Sequence, residues 1–251
     1  DVYKRQHLRK SFEQKQSLAP EVHDKVLSLF KRYLLVGGMP DAVNEYLNSH
    51  NIVKVREVQE AIRELYGVDA SRYEEDAAKK LYIRRIYDMI PSQMENKKKR
   101  IVAKDILDRK GDRFSNYVEE FEYLINSGIT IASHAISNPK YPLAESQQKN
   151  LLKLYMNDVG MLTSQLYHYN IQPILNDIAS INLGSVYESA VAQELKAHYG
   201  KLFYYDNKQK GEVDFLVDDS GTMSVLPIEV KSGKDYTVHS ALDNLMSIQD
   251  Y

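Results

Sequence analysis

The chain has 251 residues, 43% of them hydrophobic and 27% charged, with a formal net charge of −2, so it can bury a core and carries no global basic field announcing nucleic acid. It contains no cysteine, which excludes disulfides and thiolate zinc sites and fits a reducing, cytoplasmic setting. No apolar run approaches the roughly 18 residues of a membrane span, no secretory leader is visible, and the chain opens on Asp1 rather than Met, as expected for a piece of a longer protein.

Residues 1–92 read as a helical region. Val22, Val26, Leu29, Phe30, Tyr33 and Leu34 recur at helical spacing, and Gly37-Gly38 supplies a stop. Pro40 opens the next helix, another covers Ile52 to Tyr66, and a further one runs from about residue 74 to Ile90, where Pro91 is expected to end it. The block Gly37-Gly38-Met39-Pro40 has no lysine. A tight interhelical corner is therefore expected there rather than a phosphate loop.

Residues 93–169 begin with the basic run Lys97, Lys98, Lys99 and Arg100. An amphipathic helix follows, with Tyr117, Val118, Phe121, Leu124 and Ile125 on one face. Ile129 to Ala132 reads as a strand and "NLLKLYM" as the strand that returns beside it. Helix, turn, helix and a two-stranded wing make a winged-helix-like pattern. DNA contact through the basic run is one reading; a solvated charged segment is the more ordinary one.

Residues 170–251 form the third region. "GSVYESAVAQELKAHYG" is a helix, "KLFYYD" a strand, and "GEVDFLVDDSGTMSVLPIEVKSG" two strands joined by a turn at Asp218 to Gly221. A further helix starts near the end, and the last elements of this α/β core are expected to lie beyond Tyr251. The fold class expected is α+β.

Charges interrupt the most strand-like segment. Asp214 lies between Val213 and Phe215, and Glu229 and Lys231 flank Val230. Residues two apart share a strand face, so Val213, Phe215 and Val217 are expected on one face and Asp214 and Leu216 on the other. Across an antiparallel pair Asp214 comes close to Glu229. Two facing carboxylates repel, and a buried unpaired charge costs several kcal/mol. A divalent cation removes that penalty, and Mg²⁺ takes hard oxygen ligands, one or two of them carboxylates. Alone, Glu-x-Lys on a strand is ordinarily a solvated pair worth about 0–1 kcal/mol. Here Asp214, Glu229 and the upstream helical Glu188 occur together, which points to a site.

Asp214, Glu229-Val230-Lys231 and the helical Glu188 of "GSVYES" resemble the PD-(D/E)XK nuclease signature. More widely, "RYLLVGGMPDAV", "LKLYMNDVGML", "GSVYESAVAQEL", "GEVDFLV" and "PIEVKSG" resemble the C-terminal region, a domain of unknown function, of bacterial and archaeal AAA-type ATPases. The resemblance implies a restriction-endonuclease-like core with Glu188, Asp214, Glu229 and Lys231 as catalytic residues. It implies Mg²⁺ or Mn²⁺ held by Glu188, Asp214 and Glu229, and DNA as the substrate. It also implies an ATPase domain on the same polypeptide, the only place ATP would bind. No G-x-x-x-x-G-K-[ST] exists in this chain. "SGKD" at Ser232 to Asp235 has Ile228 where the first Gly belongs and reads as a turn. Two functions stay open: an ATPase-linked, metal-dependent DNA endonuclease of resolvase type, and a non-catalytic DNA-binding or protein-interaction module.

Overall fold

The computed structural model of the chain describes residues 2–73, 76–96, 98–176, 183–232 and 238–248. Its first stretch is helical: α1 (Val2–Glu13), α2 (Pro20–Val36), α3 (Pro40–Ser49), α4 (Ile52–Tyr73) and α5 (Ala77–Glu95). Pro20 and Pro40 begin α2 and α3, where the missing N–H is one the helix would leave unpaired anyway. Asp76 caps α5 by accepting from the backbone N–H groups of Ala78 and Lys79.

Pro91 does not end α5, contrary to the sequence expectation; the helix runs through it to Glu95. An interior proline costs about 3 kcal/mol. The same helix buries Ile83, Ile86, Tyr87, Ile90 and Met94, each worth about 1.5–3 kcal/mol. Packing wins.

Then follow α6 (Lys104–Leu107), a 3-10 turn at Phe114–Asn116, α7 (Val118–Asn126), β1 (Thr130–Ile136), β2 (Gln147–Met156), α8 (Val159–Tyr167), α9 (Gln172–Leu175) and α10 (Gly184–Tyr199). The last elements are β3 (Leu202–Asn207), β4 (Gly211–Asp219), β5 (Ser224–Ile228) and α11 (Ser240–Met246). The fold is α+β, with eleven α-helices and one mixed five-stranded sheet among the described residues.

The strand order is β2-β1-β3-β4-β5. β1 runs parallel to β3 and every other neighbouring pair is antiparallel. The hairpin read from sequence as a wing is thus two strands of the sheet that also holds β3, β4 and β5, and the sheet crosses the expected boundary at 169/170. One face of the sheet packs Tyr155, Phe215 and Val217 with Ala192 of α10 in the largest core cluster. The other packs Phe203, Tyr205, Val213 and Leu216 with Leu245 of α11.

This partition corrects the simple alternation expected for β4. Phe203 pairs with Leu216 but Tyr205 with Val213, so β4 holds one extra residue opposite Tyr204. Such a bulge re-aims side chains. It puts Val213 and Leu216 on one face and leaves Phe215 and Val217 on the other.

The Gly37-Gly38 corner joins α2 to α8. Gly37 sits at φ 74 and ψ −161, a region essentially open only to glycine. Gly38 N–H donates to Asp158 Oδ2 at 2.6 Å, and Met161 N–H donates to Asp158 Oδ1 at 3.1 Å. One carboxylate therefore caps α8 and holds the corner. Burial raises the Asp158 pKa against these hydrogen bonds. Arg56, 2% exposed, ties the same region by donating to the carbonyls of Leu35, Gly160 and His168. Burial lowers its pKa to about 10.

A methyl group at Gly37 would lie 2.0 Å from Asp158 Oδ1. Gly37→Ala should therefore cost more than the about 1–3 kcal/mol of backbone strain alone. Gly67→Ala, with open space around the added carbon, should hold or raise stability by up to about 1 kcal/mol. Thermal melts of the two variants check this.

Candidate functional site

Lys153 stands in the middle of β2 between buried leucines, and its side chain is 0% exposed. Tyr155, two residues on, shares its strand face and is buried. Both reach Glu188 on the sheet-facing side of α10. Tyr155 OH donates to Glu188 Oε1 at 2.6 Å and Lys153 Nζ lies 3.3 Å from the same oxygen. Lys99 Nζ bonds the other oxygen, Oε2. Lys153 also pairs with Glu212 of β4 at 2.6 Å and lies 4.9 Å from the centre of the Tyr204 ring.

The network is closed by charge. Burial alone would raise the Glu188 pKa, but Lys153, Lys99 and the Tyr155 hydroxyl hold it below the ordinary range. Burial alone would lower Lys153, but Glu188, Glu212 and Asp214 hold it above the ordinary lysine range. Burial and the Glu188 charge both push Tyr155 well up.

Asp214 occupies the bulge of β4 beside this network. Burial, then repulsion from Glu188, raises its pKa to about 6, with Lys153 and the Val230 N–H opposing. Val230 N–H donates to Asp214 Oδ2 at 2.8 Å. The β4–β5 ladder ends at Phe215 and Ile228, so Glu229 and Lys231 lie just past the strand and not on it. Lys231 Nζ pairs with Glu229 Oε1 at 2.5 Å, while Glu229 Oε2 is buried without a hydrogen-bond partner.

The structure therefore brings Glu188 and Asp214 into one electrostatic cluster and sets Glu229 with Lys231 beside it, linked through Val230. A divalent cation needs hard oxygens converging on one point. Among the described residues no group of three or more His, Asp or Glu side chains is so placed, and both Glu188 oxygens already accept from Lys153, Tyr155 and Lys99. As arranged, Glu188, Asp214 and Glu229 do not fit Mg²⁺ or Mn²⁺ as a ligand set. Lysine ammonium groups supply the positive charge instead.

The basic run is also part of this surface. Lys99 holds Glu188, and Lys98 and Arg100 converge on Asp206 Oδ2 at 3.2 and 2.5 Å. Lys97 lies outside the described residues, as do Gly233 to Asp235 of the "SGKD" turn. Sequence reasoning missed Lys153, Tyr155 and Glu212 as site residues. The signal was present for one of them: a lone lysine in "NLLKLYM" is the same anomaly as Asp214 in "EVDFLV".

Removing Lys153 strands two carboxylates. Lys153→Met should cost about 3–5 kcal/mol, and Lys153→Met with Glu188→Gln should cost less than the single change; urea melts measure both. Asp214 gives a pH signature. Its folded pKa of about 6 lies above the ordinary 3.8, so the folded chain holds this proton more tightly. That stability is complete below the ordinary value and is lost as pH rises through about 6. Asp214→Asn should then melt above wild type at pH values beyond about 6, with the gain gone in acid.

A family model for a domain of unknown function, DUF8612, matches residues 27–169. A second, DUF4143, matches residues 183–251; it is a domain of unknown function commonly found at the C-termini of AAA ATPase-like proteins, in keeping with the resemblance drawn from the sequence blocks. No curated protein and no solved structure matches the chain. Over more than half of its length, helices and hairpin alike, the chain belongs to the DUF8612 family.

Proposed function

We propose that the chain is the C-terminal portion of an ATPase-linked protein that acts on DNA, with a nuclease-like site at Glu188, Asp214, Glu229 and Lys231. The observation that carries this reading is the convergence of Glu188 from α10 and Asp214 from the β4 bulge on one buried cluster. A structural ion pair needs one carboxylate per lysine. This cluster holds an additional acid whose pKa is raised to about 6, the range in which a general base is effective near neutrality.

In this reading the reaction class is phosphodiester hydrolysis. Asp214 takes a proton from the water that attacks phosphorus, one P–O ester bond breaks, and the departing oxygen is protonated from solvent. Lys231, about one-third exposed at the edge of the site, positions that water or the phosphate. Glu188 fixes the two lysines that set the local field. The winged-helix-like pattern of residues 93–169, its wing continuing into the five-stranded sheet, and the restriction-endonuclease-like arrangement around β4 belong to the same proposal, as does the ATPase domain expected on the full polypeptide.

A second reading, DNA binding without cleavage, is favoured by one observation: both oxygens of Glu188 are occupied by protein donors. Cleavage of supercoiled and branched DNA by the full-length protein, with Mg²⁺, with Mn²⁺ and with a chelator, separates the two. The nuclease reading expects cutting that falls at least about tenfold in Asp214→Asn and in Lys231→Ala, with DNA binding kept. DNA bound but uncut under every condition, by wild type and variants alike, overturns it in favour of the binding module.

A further inference from the structure

Lys99 also lines a cleft of about 750 Å³ bounded by Asn96, residues 98–103, the 3-10 turn at Phe114–Asn116 and Asn150 and Leu151 of β2. Its lining includes Lys98, Lys99, Arg100 and Arg113 and no acidic side chain. The side chain of Arg113 is exposed and makes no ion pair or hydrogen bond among the described residues, while its backbone carbonyl accepts from Asn116 N–H. Phe114 stacks on Phe121 with ring centroids 4.5 Å apart and planes within 3°, which fixes the turn that presents Arg113. Asn96, Ser115 and Asn150 add neutral polar groups to the wall.

Four cations on one concave wall, uncompensated within the cleft, suit a ligand carrying several negative charges along a line. Lys98 and Arg100 pair with Asp206 and Lys99 with Glu188, and neither carboxylate lines the cleft. Lys99 is the hinge of this arrangement. It lines the cleft and also bonds Glu188, and a lysine on a flexible stem can exchange one oxyanion for another.

We infer that this cleft receives the phosphodiester backbone of a nucleic acid, anchored by Arg113, and that Lys99 trades Glu188 for a phosphate when the strand enters. The inference rests on the proposal that the protein acts on DNA, and it names the path by which the strand reaches the site. Bound DNA then withdraws one of the two lysines that saturate Glu188, so substrate binding itself opens a carboxylate oxygen next to Asp214. Without DNA the site stays closed by its own ammonium groups.

Fluorescence anisotropy of a labelled DNA duplex, titrated with the chain at several salt concentrations and without divalent cations, tests this. Arg113→Ala should weaken binding and reduce the salt slope by about 0.9, one phosphate contact. Glu188→Gln should tighten binding, because it frees Lys99, and the gain should vanish in Glu188→Gln with Lys99→Met. Arg113 is exposed, so its variant reports even where a Glu188 variant folds poorly. Wild-type-like affinity and slope in both Arg113→Ala and Lys99→Met overturn the cleft. An equal gain from Glu188→Gln with and without Lys99 overturns the exchange. Retention on phosphatidylserine vesicles as strong as on DNA overturns the nucleic acid in favour of a lipid surface. The assay reads binding alone, so absent cleavage leaves it standing, and a failed cleft leaves cleavage standing.

Discussion

Burying the ammonium of Lys153 against the carboxylate of Glu188 constrains everything around it. Neither charge tolerates the interior alone. Their meeting requires β2 to lie in the same sheet as β4, α10 to cross that sheet at Glu188, and Tyr155 to stand two residues from Lys153 on the same face. The β1–β3 parallel pairing serves this end: it joins the central hairpin to the C-terminal strands. A hairpin standing apart as a wing would leave Lys153 with no carboxylate partner from α10.

The same constraint explains the character of the site. Glu188 and Lys153 compensate one another, and Glu212 adds a second carboxylate to the lysine. Asp214 is an extra acid beside a pair already balanced, and burial first, then the Glu188 charge, hold its proton more tightly than usual. Lys99 reaches in from the segment before α6 and completes the closure. Further from the site, the Asp158 corner and Arg56 lock α2, α4 and α8 together. The helical region is thereby held against α8 and α10, through the cluster of Leu34, Leu35, Val159 and Val186.

Much of this was legible from the residues. Helical spacing located α2, α3, α7 and α10, and the Gly37-Gly38 corner was readable because only a turn explains two glycines before a proline. The misplaced charge at Asp214 pointed to the part of the sheet where the structure places the buried Lys153–Glu188 network. Three features were not legible. The bulge in β4 adds one residue to one strand, which strict alternation cannot express. Pro91 inside α5 is a contest between a local break and distant packing, and a local reading sees only the break. Lys99 and Glu188 are 89 residues apart, so a basic run that looks solvated gives no hint that one of its members closes the site. Lys153 was visible as an anomaly, but its partners come from two other elements.

The central claim is that paired carboxylates outweigh burial at Lys153. The most direct measurement is a pH titration of the Lys153 side-chain nitrogen by NMR in the folded chain, assigned through Lys153→Met. The account predicts an ammonium that stays protonated past the ordinary lysine value of 10.5 and exchanges slowly with water. A nitrogen that loses its proton below that value would mean that burial, not Glu188, governs the site, and would contradict the account.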